Sequence, residues 1–228
     1  GFFGNRPAEI FISQEEKNWA NQWLRDNGLE EGEQLYIMLD SSARRRKLLR
    51  MDVYYDLLMF LLQKENVKVL VFDEKDMGKE PFYKGLIEER FFRKIIFSKK
   101  LGLRNDLCLM GSDYTRLVIG PCTGLLHCVS GIYNHYVSEG MPLEKVPLMI
   151  TYTGKYTGDK ETAQQWWGNS PLINCLVLKE VNQQKKVVLL SDMQEEEKLS
   201  IKGVLPCDEY SASLIIDFIN SKIPQYSL

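Results

Sequence analysis

Histidine is nearly missing from this chain: its 228 residues include two, His127 and His135. A zinc site would have to borrow thiolates, and Cys122, His127 and Cys128 lack the paired spacing of structural zinc ligands. No metal or other cofactor is expected. Cysteine is also sparse. Cys108, Cys122, Cys128, Cys175 and Cys207 form an odd set without disulfide-rich spacing, which reads as free thiols in a reducing compartment. A basic surplus is absent too, since the net charge is −2. That excludes broad, sequence-independent nucleic-acid binding, which needs a large cationic excess. No apolar run reaches the length that crosses a bilayer. The first residues lack a basic region followed by an apolar stretch and cleavage site, so no secretory signal is expected in them. Internal repeats, low-complexity segments and a glycine-rich Walker loop are missing as well.

What remains is an ordinary globular composition, 44% hydrophobic and 26% charged, long enough to bury a sizeable core. Ser13 and Glu16 have capping-box spacing, and Trp19, Trp23 and Leu24 continue at helical spacing to a stop at Gly28. After an acidic spacer, Leu35 to Leu39 reads as a strand. A helix follows from about Asp52 to Lys64, its apolar face carrying Val53, Leu57, Phe60 and Leu61. Further strands are expected at Val67–Phe72, Ile95–Phe97, Leu117–Ile119, Val146–Ile150 and Cys175–Leu178. A weaker strand runs over Val187–Leu190, after a hairpin turn within Asn182–Lys186. Asn105 to Gly111 reads as a helical turn, and Ser211 to Lys222 as a closing helix. Uninterrupted apolar strands separated by helix-length segments predict an α/β fold, a parallel sheet covered on both faces. The economical division is a linker-like segment and first helix over 1–34, then one Rossmann-like domain over 35–228.

Ligands of such sheets sit beyond the carboxyl ends of the strands, and the informative residues fall there. Asp40 to Lys47 (DSSARRRK) places Ser41, Ser42, three arginines and Lys47 just past a strand. These groups suit a diphosphate, with Lys47 ranked above any arginine. A solvated basic loop is the competing use. A second element is the run from Gly120 to His127. There Gly124 allows close backbone approach, and Thr123 offers an N–H and a hydroxyl to an anion. His127 then supports that turn, touches the ligand, or only hydrogen-bonds in the core. Cys122 has no signature of a thiol nucleophile, and His135 reads as a cap or surface residue. Asp73 and Glu74, beyond the second strand, suit ribose hydroxyls or serve as turn residues. Trp166, Trp167, Gly168 and Asn169 form an aromatic knot, read chiefly as packing and secondarily as a pocket wall.

Leu35 to Lys47, Val67 to Phe72 and above all Val118 to His127 (VIGPCTGLLH) resemble the carboxyl-terminal half of the family 9 glycosyltransferases, the lipopolysaccharide heptosyltransferases. The resemblance covers most of residues 10–150 and loosens afterwards. It implies a GT-B arrangement of two facing Rossmann-like domains, of which this chain is the donor-binding one. The donor is then a nucleotide-diphosphate sugar, typically ADP-heptose, and the acceptor a lipopolysaccharide-core-type sugar. Carried over, Ser41 or Ser42 matches a phosphate-binding hydroxyl and Lys47 the phosphate lysine. Thr123, Gly124 and His127 match the donor loop, and Asp73 or Glu74 lies near the ribose acid. Cys122 departs from the pattern, standing where the motif has aspartate. The acceptor-binding domain and its general base are expected in an amino-terminal partner half. The resemblance places the protein in the cytoplasm, peripheral to the inner membrane when the acceptor is lipid-linked. Two other readings of the same residues are a non-catalytic nucleotide or sugar-phosphate binding module and an epimerase of the UDP-sugar type.

Overall fold

The computed structural model describes residues 7–155, 170, 172–198 and 202–223. The first helix, α1 (Gln14–Asp26), starts on a complete capping box. The Ser13 hydroxyl accepts from the Glu16 N–H at 3.2 Å, and the Glu16 carboxylate accepts from the Ser13 N–H at 2.8 Å. Gly28 takes a φ of +97° just past its end, a conformation that an L side chain resists. Ala20 and Leu24 are buried, whereas Trp19 stays 36% exposed.

The remaining strands and helices are β1 (Gln34–Met38), α2 (Met51–Leu62), β2 (Val67–Asp73), α3 (Lys79–Leu86), α4 (Glu89–Phe92), β3 (Ile95–Lys99), α5 (Leu103–Met110), β4 (Thr115–Pro121), α6 (Gly124–Ser138), β5 (Leu148–Thr153), β6 (Ile173–Val181), β7 (Gln184–Leu189), α7 (Glu195–Lys198) and α8 (Ala212–Lys222). Among the described residues, seven strands form one sheet in the order β3-β2-β1-β4-β5-β6-β7. Every neighbouring pair is parallel except β6 with β7. The parallel part has the doubly wound order 3-2-1-4-5-6, so its direction of winding reverses between β1 and β4.

Side-chain alternation along the strands separates two cores. On one face Leu35, Ile37, Leu70 and Val118 pack with Leu24 of α1, Leu107 of α5 and Val129 and Ile132 of α6. On the other, Tyr36, Met38, Val69, Val71 and Ile119 pack with Leu57, Leu58 and Leu61 of α2 and Ile215 and Ile219 of α8. The continuous apolar character of the strands follows from this two-sided burial.

The differences from the sequence reading are local. The helix α5 begins at Leu103 and is more than a turn, while α3 and α4 were not anticipated. The strand β6 runs from Ile173 to Val181, well beyond Cys175–Leu178, because it pairs with β7 along its polar end. The hairpin narrows to Asn182 and Gln183, at φ +52° and +64°. Two successive positive φ values match the twist of tight hairpins. The sheet is thus parallel with one antiparallel edge strand, not parallel throughout.

Candidate functional site

The residues flanking the winding reversal are those after β1 and those after β4. Beyond β1, Arg45–Lys47 make one short 3-10 turn, with Arg44, Arg45 and Arg46 exposed and Lys47 partly buried. Lys47 reaches across the reversal, its Nζ donating to the Cys122 carbonyl at 2.8 Å. That bond joins the two sequence segments singled out above, 75 residues apart. The two serines are not equivalent. Ser41 Oγ donates to Asp40 at 2.9 Å and accepts from Lys79 at 2.9 Å. Ser42 Oγ only accepts, from the Arg44 N–H at 3.2 Å, which leaves its own proton to donate.

Beyond β4, the chain passes Pro121 and Cys122 and enters α6 at Gly124. Thr123 is the N-cap, yet its side chain makes no capping hydrogen bond, and no acidic residue occupies the first turn. The amino end of this 15-residue helix therefore keeps its N–H groups and its partial positive charge uncompensated by its own cap. Among the described residues, a Cβ on Gly124 would meet nothing within 4 Å. Neither packing against the described residues nor a positive φ demands glycine there. Gly120, near the end of β4, is different: a Cβ would stand 2.6 Å from Leu39 Cβ. That glycine serves the close approach of β4 to β1.

His127 lies on the first turn of α6, partly buried. Burial and the Lys47 charge both push its pKa below the ordinary 6.5, so it is neutral at pH 7. Cys122 is 2% exposed and belongs to the core. Its thiol is buried, while its carbonyl holds Lys47. His135 sits at the far end of α6, with its Nδ1 3.1 Å from Glu9 and its ring edge-on to Phe11. It plays no part in this crevice.

The acids beyond β2 divide. Asp73 is 1% exposed and accepts the Met77 and Lys79 N–H groups at 2.7 and 3.0 Å. Burial raises its pKa, but these N–H groups and the Lys79 charge outweigh that and leave it below the ordinary value. Its carboxylate is committed to shaping its own loop. Glu74 is exposed and stands beside Asp106, whose pKa burial and the Glu74 charge push up to about 6, against the Ser98 hydrogen bond. Of the two, Glu74 is the acid that faces outward. Trp166, Trp167, Gly168 and Asn169 lie outside the described residues.

Sequence reading missed Lys79. Its ammonium forms an ion pair with Asp40 and donates to Ser41 Oγ at 2.9 Å and to the Phe72 carbonyl at 2.6 Å. It ties the end of β2 to the start of the basic loop. Two acids beyond adjacent strand ends, Asp40 and Asp73, were a signal that a buried cation was needed, but nothing local marked which one. Among the described residues, no three His, Cys, Asp or Glu side chains cluster to hold a metal ion. No helix among them is long and apolar enough to cross a membrane.

No protein-family model matches the sequence, and no curated protein matches it. Solved structures do match. The ADP-heptose lipopolysaccharide heptosyltransferase II of E. coli superimposes with a TM-score of 0.63 at 12% identity, covering 96% of this chain and 54% of that one. The family 9 glycosyl transferase of Veillonella parvula gives 0.61 at 13% identity, covering 95% and 54%. The E. coli heptosyltransferase WaaC with ADP gives 0.50 at 14%, covering 89% and 48%. The chain thus spans about half the length of the solved structures it matches. At such identities the likeness is one of fold, and at that level the resemblance read from the sequence is borne out: the chain has the Rossmann-like fold of GT-B glycosyltransferases of the family 9 kind.

Proposed function

We propose that this chain is the donor-binding domain of a family 9 glycosyltransferase, and that it holds a nucleotide-diphosphate sugar across the β1–β4 reversal. The observation that carries this reading is the Lys47 ammonium fixed at 2.8 Å on the Cys122 carbonyl, beside an uncapped helix end. A lysine and free backbone N–H groups converging on one place make an anion site in which neither part suffices alone. Ser42 adds a hydroxyl with a proton to give, and the exposed arginines add charge. The printed names of the matching structures include ADP-heptose and ADP, which makes ADP-heptose the donor to try first. The acceptor is a lipopolysaccharide-core-type sugar held by an amino-terminal domain outside this sequence. The protein then works in the cytoplasm, against the inner membrane when its acceptor is lipid-linked.

In that reading the acceptor hydroxyl attacks C1 of the donor sugar, the C1–O bond to the diphosphate breaks, and the leaving diphosphate carries the departing electron pair. Lys47, Ser42, Thr123 and Gly124 stabilise the charge that grows on the diphosphate. A neutral His127 supports the loop and can donate one N–H to the phosphate. Glu74 takes the ribose hydroxyls in place of the committed Asp73. The hydroxyl proton passes to a base supplied by the other domain.

The second reading, a nucleotide-binding module without transfer activity, is favoured by Cys122. Its buried thiol cannot replace the hydrogen bonds or charge of the motif's aspartate. Calorimetric titration with ADP, UDP, GDP and adenosine at one salt concentration tests the common core of both. Saturable binding of a diphosphate, much tighter than of adenosine, is the expected result. Equal affinity for ADP and adenosine would remove the phosphate site. Donor hydrolysis or transfer by the chain joined to its acceptor half separates enzyme from module.

A further inference from the structure

The amino end of the sheet carries a cleft of about 340 Å³ beside the starts of β4 and β5, and Arg116 lines it. The length of β4 separates it from the nucleotide crevice, about 20 Å at about 3.3 Å per residue. Arg116 meets the cleft at an irregularity in the sheet. Leu35 of β1 pairs with Thr115 and the next residue, Tyr36, with Leu117, so Arg116 is an extra residue without a partner on β1. On its other side, the ladder to β5 begins only at Leu117 and Leu148. An extra strand residue re-aims its side chain, and such bulges recur beside binding sites.

The guanidinium of Arg116 is partly buried and only half used. Its Nη1 donates to the Asp113 and Thr115 carbonyls at 2.7 and 3.0 Å. Nothing among the described residues accepts from the opposite edge, Nε–H and Nη2, and no carboxylate among them pairs with Arg116. That edge is the fork that holds two oxygens of a carboxylate or phosphate at once. The other charges of the cleft cancel. Lys17 lies 3.4 Å from Asp113 and 4.5 Å above the Tyr136 ring, and Asp113 also accepts from the Asn21 amide at 2.7 Å. Glu144 and Lys145, of opposite sign, are exposed on the rim. Three cations against two acids leave one positive charge, and Arg116 is the member without a counter-ion. A partly buried cation of this kind is costly unless an anion completes it.

We propose that this cleft binds a small organic oxyanion, a carboxylate or a phosphate ester. Two of its oxygens lie on the Nε–Nη2 edge of Arg116, and its carbon body rests on Val146 and Pro147, which also line the cleft. Lys145 adds charge at the rim. A cationic ligand would find Asp113 already committed and would face Arg116. A neutral ligand would leave the guanidinium without its counter-charge. An engineered apolar cavity of about 150 Å³ holds benzene, so the space admits a ring behind the anionic head. The inference does not rest on nucleotide binding, since the two sites stand at opposite ends of β4 and share no residue.

Benzoate and phenyl phosphate, matched rings with a carboxylate and a phosphate, are the probes, and benzyl alcohol is the uncharged control. Two-dimensional NMR of the isotope-labelled whole chain follows the Arg116 Nε–H and the Thr115 to Leu117 amides separately from those of Thr123 and Gly124. Saturable shifts of the Arg116 group with at least one anion, and none with benzyl alcohol, are expected. The anion that saturates it at the lower concentration identifies the head group as carboxylate or phosphate. Arg116→Gln should weaken that anion about ten- to a hundredfold at the neighbouring amides, the size of a charge-assisted pair. Any phenyl phosphate shifts at Thr123 and Gly124 should stay as they are in the parent. Lys145→Gln, on the exposed rim, should fold normally and weaken the same anion about two- to fivefold, which keeps the test decisive if Arg116→Gln misfolds. No saturable shift at Arg116 with either anion, an equal response to benzyl alcohol, or binding indifferent to both substitutions would overturn the proposal.

Discussion

The carboxyl ends of β2 and β4 resemble each other in sequence and differ in what they leave open. Each strand is apolar, ends at a turn and leads towards a helix. After β2, the groups nearest the sheet close inward while Glu74 faces out: Asp73 takes two backbone N–H groups, and Lys79 takes Asp40, Ser41 and Phe72. After β4 the reverse holds. Thr123 does not cap its helix, no described residue crowds Gly124, and Lys47 is delivered to the turn from another strand end. A closed strand end serves the fold, and an open one is available to a ligand. Substitutions at the two ends should therefore have separable consequences.

The largest effect is expected at the closed end. Asp73→Ala strips a buried carboxylate from two N–H donors, and hydrogen bonds to charged groups are worth about 1.5–3 kcal/mol each. We expect about 3 kcal/mol of lost stability by urea denaturation, with ADP affinity of the folded fraction changed less than about twofold. If instead nucleotide affinity collapses while stability holds, Asp73 is a ligand-binding acid and the division between the two ends fails. The same carboxylate gives a pH signature. Its folded-state pKa lies below the ordinary 3.8, so its contribution is present above that pH and is lost as pH falls towards the folded-state value.

Lys47→Ala tests the open end. Removal of one charge-assisted contact should weaken ADP about ten- to a hundredfold, about 1.4–2.7 kcal/mol, and leave adenosine nearly untouched. The melting temperature should fall by only a few degrees, since Lys47 is only partly buried. Parallel losses for ADP and adenosine would mean that Lys47 only props the turn.

Gly124→Ala sharpens the contrast further. A Cβ meets no atom of the described residues there, and alanine in an unstrained helix position stabilises by about 0.4–1 kcal/mol. Stability should therefore hold or rise while ADP binding drops several-fold, because the methyl stands where the phosphate approaches. A variant that binds ADP as the parent does would place the phosphate elsewhere.

This contrast also explains what was legible beforehand. The core strands could be read because burial on both faces forces uninterrupted apolar runs, as at Val67–Phe72 and Leu117–Ile119. The capping box of α1 and the glycine at its end were legible because both signals are local. By contrast, α3 holds Pro81 and Gly85 within eight residues and buries only Tyr83, so neither pattern nor propensity marks it as a helix. Lys79 was invisible for another reason. Its partner Asp40 lies 39 residues away, and the role exists only once β1 and β2 lie side by side. The pairing of Lys47 with the Cys122 turn was reached in outline because both segments follow strand ends, where doubly wound sheets place ligands. Which serine keeps a free proton, and which of Asp73 and Glu74 faces outward, depended on side-chain contacts that no spacing encodes.

The smallest expected effect lies with His127, and its sign depends on what fills the open end. In the free protein, burial and the Lys47 charge hold its pKa below 6.5. The unfolded chain therefore takes up the proton first as pH falls. The stability it contributes is complete above 6.5 and is lost as pH drops from there towards the folded-state pKa. His127→Gln should flatten that part of the stability–pH curve. A bound diphosphate brings negative charge to the same turn and offsets Lys47, so the imidazole pKa must rise on ADP binding. NMR titration of the His127 ring with and without ADP reads this directly. An upward move on ADP but none on adenosine fixes the phosphate beside His127. If both ligands leave the ring unmoved, the histidine belongs with Asp73 as part of the closed scaffold and not with the open turn.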